Sequence, residues 1–145
     1  MKKVAMKLSI IIVSYNTKDI LDECLASIYD SQINDPFEII VVDNCSKDGT
    51  IEMIEGKYPQ VILIKNKTNN LFAIANNQGA KVAKGKYLLL LNSDTIVYED
   101  NLQKMIDYFD TLDEQVICIG PKILNSRPLK TFYLLLFSYL INKSL

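Results

Sequence analysis

Five short runs, at 8–13, 38–42, 61–64, 87–91 and 116–119, are dominated by β-branched residues and leucine, and they alternate with segments of helical period. Runs of this kind are strands covered on both faces of a sheet. Between the first two, after Asn16 and Thr17 as a helix start, Ile20, Leu21, Cys24, Leu25 and Ile28 form one apolar stripe. Leu102, Met105, Ile106, Phe109 and Leu112 repeat the pattern over 101–112. A third helix is expected over 72–84, stopped by Gly85 in a left-handed conformation, and a short one over 50–57. Strands that alternate with helices require right-handed crossovers, which predicts an α/β fold with a mostly parallel, doubly wound sheet flanked by helices. At 145 residues this is one domain.

Ligands of such sheets bind outside the carboxyl ends of the strands. Polar clusters stand at those ends: Ser14-Tyr15-Asn16, Asp43-Asn44-Cys45-Ser46, Asn66, and Asn92-Ser93-Asp94-Thr95. Each alone is ordinary turn chemistry, but together they bring hydroxyls, amides and carboxylates to one edge. No G-x-G-x-x-G or G-x-x-x-x-G-K-[ST] follows any strand, which argues against a nicotinamide dehydrogenase and a P-loop NTPase. Without a glycine cradle, a diphosphate needs another counter-charge. Asn92 and Asp94 offer hard oxygen ligands to Mg²⁺ or Mn²⁺.

Sixteen basic residues against seventeen acidic ones give a net charge of -1, which offers no basic face to nucleic acid. There is no histidine, and Arg127 is the sole arginine, so chemistry here rests on carboxylates, hydroxyls, amides or a metal. Cys24, Cys45 and Cys118 are widely spaced and match neither a disulfide framework nor a zinc site; reduced thiols in the cytoplasm are the simpler reading. A secretion signal is not expected, because the first apolar run ends at Ser14 with no small-residue cleavage site. The apolar stretch 132–141 is too short to span a membrane.

The ordered motifs Ser14-Tyr15-Asn16, Val41-Val42-Asp43-Asn44-Cys45-Ser46-Lys47-Asp48-Gly49-Thr50, Asn70 through Gly79, and Leu90-Leu91-Asn92-Ser93-Asp94-Thr95 resemble family 2 glycosyltransferases of the A-type, Rossmann-like fold. The similarity is greatest to the rhamnosyltransferase-like branch and covers about 7–124. It implies inverting, metal-assisted transfer of a sugar from a nucleotide diphosphate sugar, a dTDP- or UDP-sugar, to a hydroxyl of a saccharide or lipid-linked acceptor. Tyr15 and Asp43 then match nucleoside contacts, and Ser14, Asn16, Asn44, Ser46, Asn76, Asn77 and Asn92 complete the candidate donor-binding set. The metal motif falls on Asn92-Ser93-Asp94, with Asn92 and Asp94 as ligands. Asp48 reads instead as a turn and helix-start residue.

Two positions depart from the family pattern. Leu71 stands where many relatives have glycine, and Asn76 where arginine is frequent. The resemblance further implies a second half carrying the acceptor site and a carboxylate base, and after Leu124 there is no Asp or Glu. A donor-binding domain over 1–124, C-terminally truncated, and an apolar, helical tail over 125–145 are therefore expected, with no catalytic base identified. Through 132–141 the tail offers self-association or contact with a membrane surface, consistent with a peripheral cytoplasmic protein. The alternative is a remnant that binds the nucleotide sugar without turnover. A response-regulator-like phosphoacceptor is disfavoured, since Ser14-Tyr15-Asn16 replaces the acidic pair expected after the first strand.

Overall fold

In the computed structural model, residues 5–113, 115–120 and 139–142 are described. The strands are β1 (Leu8–Ser14), β2 (Phe37–Asp43), β3 (Ile62–Lys65), β4 (Tyr87–Asn92), β5 (Cys118–Ile119) and β6 (Tyr139–Asn142). The helices are α1 (Lys18–Asp30), α2 (Thr50–Lys57), α3 (Leu71–Val82) and α4 (Asn101–Asp110). The sheet order is β3-β2-β1-β4-β6-β5. The first four strands are parallel, while β6 runs antiparallel to both β4 and β5. The α/β, doubly wound reading holds.

The side-chain period of two explains how the strands are covered on both faces. Leu8, Ile10 and Ile12 of β1 face one side, where they meet Leu21, Leu25 and Ile28 of α1, Ile54 of α2, and Leu102, Ile106 and Phe109 of α4. Ile11 faces the other side with Ile40 and Val42 of β2, Ala75 of α3 and Leu88 of β4. Full burial of each such aliphatic side chain contributes about 1.5–3 kcal/mol, so the stripe on α1 is enough to commit that helix to the sheet.

Two expectations at the C-terminal side are corrected. Only Cys118–Ile119 of the 116–119 run form a strand, and Ile117 and Cys118 are exposed instead of covered on both faces. The place beside β4 is taken by Tyr139–Asn142, pairing Tyr87 with Asn142 and Leu90 with Tyr139. For those four residues a strand replaces the helical tail. The open edge of β4 supplies the unpaired backbone groups that favour a strand there. The rest of 125–145 lies outside the described residues. No helix among the described residues is long and apolar enough to cross a membrane.

Gly85 has a different role from the one expected. The α3 helix ends at Val82 with Ala83 extended, and Gly85 does not adopt a left-handed conformation. A Cβ on Gly85 would lie 2.5 Å from the Ser9 backbone nitrogen and 2.7 Å from the Leu8 carbonyl carbon, so glycine permits close approach to β1.

Candidate functional site

The chain winds from β1 out to β3 and then returns across β1 to β4, which makes the carboxyl ends of β1 and β4 the switch point of the sheet. Register aligns the polar ends. Ser14 pairs with Asp43, Asp43 with Lys65, and Val13 with Asn92. Backbone bonds continue the row: Asn44 N–H donates to the Ser14 carbonyl and Asn66 N–H to the Asp43 carbonyl, both at 2.8 Å.

The loops after β1 and β2 are joined residue by residue. Asn16 N–H donates to Ser46 Oγ at 2.8 Å, and Lys47 N–H donates to Asn16 Oδ1 at 2.7 Å. Asn16 and Cys45 both take positive φ, 52° and 70°, a conformation that asparagine tolerates well. Asp43 is fully buried; its carboxylate accepts the Ser46 N–H at 2.9 Å and the Ser46 hydroxyl. Ser14 is also buried, its hydroxyl 3.0 Å from that of Thr17. Tyr15 projects outward, 49% exposed.

Asp48 has the structural role expected of it. Its Oδ2 accepts Lys18 N–H at 2.9 Å, and its Oδ1 accepts the Thr50 N–H and hydroxyl, so one carboxylate caps both α1 and α2. Burial opposes its charge, yet the hydrogen bonds from Thr50 and Lys18 hold its carboxyl below the usual range. Beside it lies a shallow, open depression of about 320 Å³ lined by Asn16, Thr17, Lys18, Asp19, Ile20 and Asp48.

The other candidates divide. Asn44 is buried, and its Oδ1 accepts the Asn66 amide at 2.9 Å, while Asn66 and Gln78 exchange amide bonds at 2.8 and 3.0 Å. That amide chain, which sequence reasoning did not single out, ties the ends of β2 and β3 to α3. Asn76 is buried with its amide on the Phe72 carbonyl at 3.0 Å, one turn back in α3, whereas Asn77 is exposed. Leu71, at the head of the same helix, has φ 63° and is 71% exposed. A glycine would meet no steric cost there.

At the end of β4 the Asn92 carbonyl accepts Thr95 N–H at 3.2 Å, closing a turn around Asp94. Asp94 Oδ1 and Thr95 Oγ1 are buried without a hydrogen-bond partner. An orphaned carboxylate oxygen is costly unless a cation or donor meets it, so Asp94 fits a hard divalent ion. No group of three or more His, Cys, Asp or Glu side chains converges among the described residues. Such an ion would therefore take most of its ligands from a bound anion and water, as hard octahedral cations do at phosphates.

Known proteins are similar in sequence and fold. Across 104 residues the chain is 36% identical to the UDP-Glc:alpha-D-GlcNAc-diphosphoundecaprenol beta-1,3-glucosyltransferase WfaP of Escherichia coli, covering 71% of this chain and 41% of that protein. The structure of Staphylococcus aureus TarS, a poly(ribitol-phosphate) beta-N-acetylglucosaminyltransferase, in complex with UDP-GlcNAc superposes with a TM-score of 0.70 at 27% identity, over 87% of this chain and 37% of that one. The mannosyltransferase PcManGT of Pyrobaculum calidifontis, in complex with GDP-Man and Mn²⁺, shares the fold with a TM-score of 0.69 at 24% identity, over 77% of this chain and 34% of that one. The chain spans well under half the length of the relatives it matches. Residues 9–140 match the model of glycosyl transferase family 2, and the chain belongs to that family.

Proposed function

We propose that this chain is the donor-binding part of an inverting, metal-assisted glycosyltransferase that takes a sugar from a nucleotide diphosphate sugar, UDP-linked or dTDP-linked, to a hydroxyl of a saccharide or lipid-linked acceptor. The observation that carries the reading is the unpartnered, buried Asp94 Oδ1 at the switch point of the sheet, on the same edge as the braced loops of Asn16 and Asp43. Membership of the family and the UDP-GlcNAc bound by TarS support the donor class.

Tyr15, exposed at the end of β1, and the carboxylate of Asp43 serve the nucleoside, and the Asn16–Ser46 bond fixes their spacing. Asp94, with Asn92 beside it, would hold Mg²⁺ or Mn²⁺, which when bound supplies charge to the departing diphosphate. Asn92 in the first place of the metal motif leaves the site one negative charge short of a two-carboxylate set, which favours the rhamnosyltransferase-like branch. We place the protein in the cytoplasm, peripheral to the membrane where the acceptor is lipid-linked.

Calorimetric titration of UDP and dTDP, each with Mn²⁺ and with a chelator, tests the reading. Affinity should depend on the metal, and Asp94→Ala should remove that dependence. Equal affinity with and without metal in the unaltered chain would overturn the metal role.

A further inference from the structure

The loop that carries Asp94, between β4 and α4, is held from below by α1. Cys24 and Ser27 lie one turn apart on that helix. The Cys24 thiol, fully buried, donates to the Asn92 carbonyl at 3.7 Å. Ser27 Oγ accepts the Val97 N–H at 3.0 Å and donates to the Cys24 carbonyl at 2.7 Å. Asp94 thus sits between two anchor points, residues 92 and 97, both fastened to the same face of one helix.

The arrangement meets a specific need. A carboxylate oxygen buried without a partner drives its loop to rearrange until the oxygen reaches water. A loop with no ladder of its own resists through contacts made elsewhere: Val97 packs in the same core cluster as Leu21, Leu25 and Ile28 of α1, and Cys24 and Ser27 add directional hydrogen bonds to residues 92 and 97. We propose that Cys24 and Ser27 are positioning residues of the donor site, holding the 92–97 loop so that Asp94 stays in place for the metal and diphosphate. The proposal deepens the donor reading above and rests on it.

The test compares UDP titrations in Mn²⁺ and in chelator for the unaltered chain, Cys24→Ala, Cys24→Ser, Ser27→Ala and Ile28→Val, each well below its melting midpoint. Ile28 is buried on the same helix and its side chain makes no hydrogen bond, so Ile28→Val reports a loss of core packing without the loss of a loop hydrogen bond. Cys24→Ala and Ser27→Ala should each weaken binding in Mn²⁺ by about fivefold, the weight of one ordinary hydrogen bond, and leave binding in chelator unchanged. Cys24→Ser, which restores a donor, should recover most of the loss, and Ile28→Val should change neither measurement. Unchanged affinity in both alanine variants, or equal losses with and without metal, overturns the proposal. Should the unaltered chain show no metal-dependent binding, the metal role fails, and amide exchange then decides the anchor separately: faster exchange of the Val97 N–H in Ser27→Ala upholds it, unchanged protection rejects it.

Discussion

Ser46 gives both its backbone N–H and its hydroxyl to the carboxylate of Asp43, a residue fully buried at the end of β2. The same hydroxyl oxygen accepts the Asn16 N–H from the loop after β1, so one serine joins the two loops that flank the crevice. Ser46→Ala leaves a buried carboxylate oxygen short of a donor, and such a loss costs about 1–3 kcal/mol. Chemical denaturation should show a lower midpoint with an unchanged slope. No change in midpoint would mean that water replaces the hydroxyl at no cost.

Asp94→Ala should behave in the opposite way on stability. The substitution removes a buried oxygen that has no partner in the unliganded chain, so the ligand-free melting midpoint should stay level or rise. Thermal unfolding without nucleotide or metal reads this directly. A fall of several degrees would show that Oδ1 is satisfied within the protein and would weaken its assignment to a cation.

Leu71→Gly should stabilise the fold. Leu71 holds φ 63° with its side chain 71% exposed, so little packing is lost on removing it. Left-handed backbone costs a non-glycine residue about 1–2 kcal/mol, partly offset by the greater unfolded-state freedom of glycine. A net gain of up to about 1 kcal/mol is expected by denaturant titration. A loss would mean that the leucine side chain has a packing partner in solution.

Gly85→Ala should destabilise, because the added carbon would lie 2.5 Å from the Ser9 nitrogen on β1, where backbone must move to admit it. Overpacking of this kind costs about 1–3 kcal/mol. The melting midpoint measures it, and an unchanged value would show that the 83–86 connection can shift freely away from β1.

The carboxylate of Asp110 carries a pH signature. Burial raises its pKa, but hydrogen bonds from Lys7, Tyr87 and Lys86 outweigh burial and bring it to about 2. A depressed carboxylate contributes stability above its unfolded pKa of about 3.9, and the contribution is lost as pH falls toward the folded value. Asp110→Asn should thus be less stable than the unaltered chain at neutral pH, by about 1 kcal/mol or less since the pair is partly solvated and screened. The difference should vanish between about pH 4 and pH 2. A gap that persists unchanged at low pH would assign the effect to packing.

The elements up to α4 and the faces they bury were legible in the sequence because they follow from local periodicity: Ile10 and Ile12 on one face and Ile11 on the other are implied by a period of two, and Leu21, Leu25 and Ile28 by helical spacing. The candidate edge was legible for the same reason, since a buried strand must end before its first cluster of polar residues. The pairing of Tyr139–Asn142 with β4 was not, because a short apolar run is compatible with helix or strand until a free sheet edge chooses. Nor was the closed amide chain of Asn44, Asn66 and Gln78, or the hold of Cys24 and Ser27 on the Asp94 loop. Those contacts join residues far apart in sequence, and hydrogen bonding depends on distance and direction, which only the packing of helices on the sheet decides.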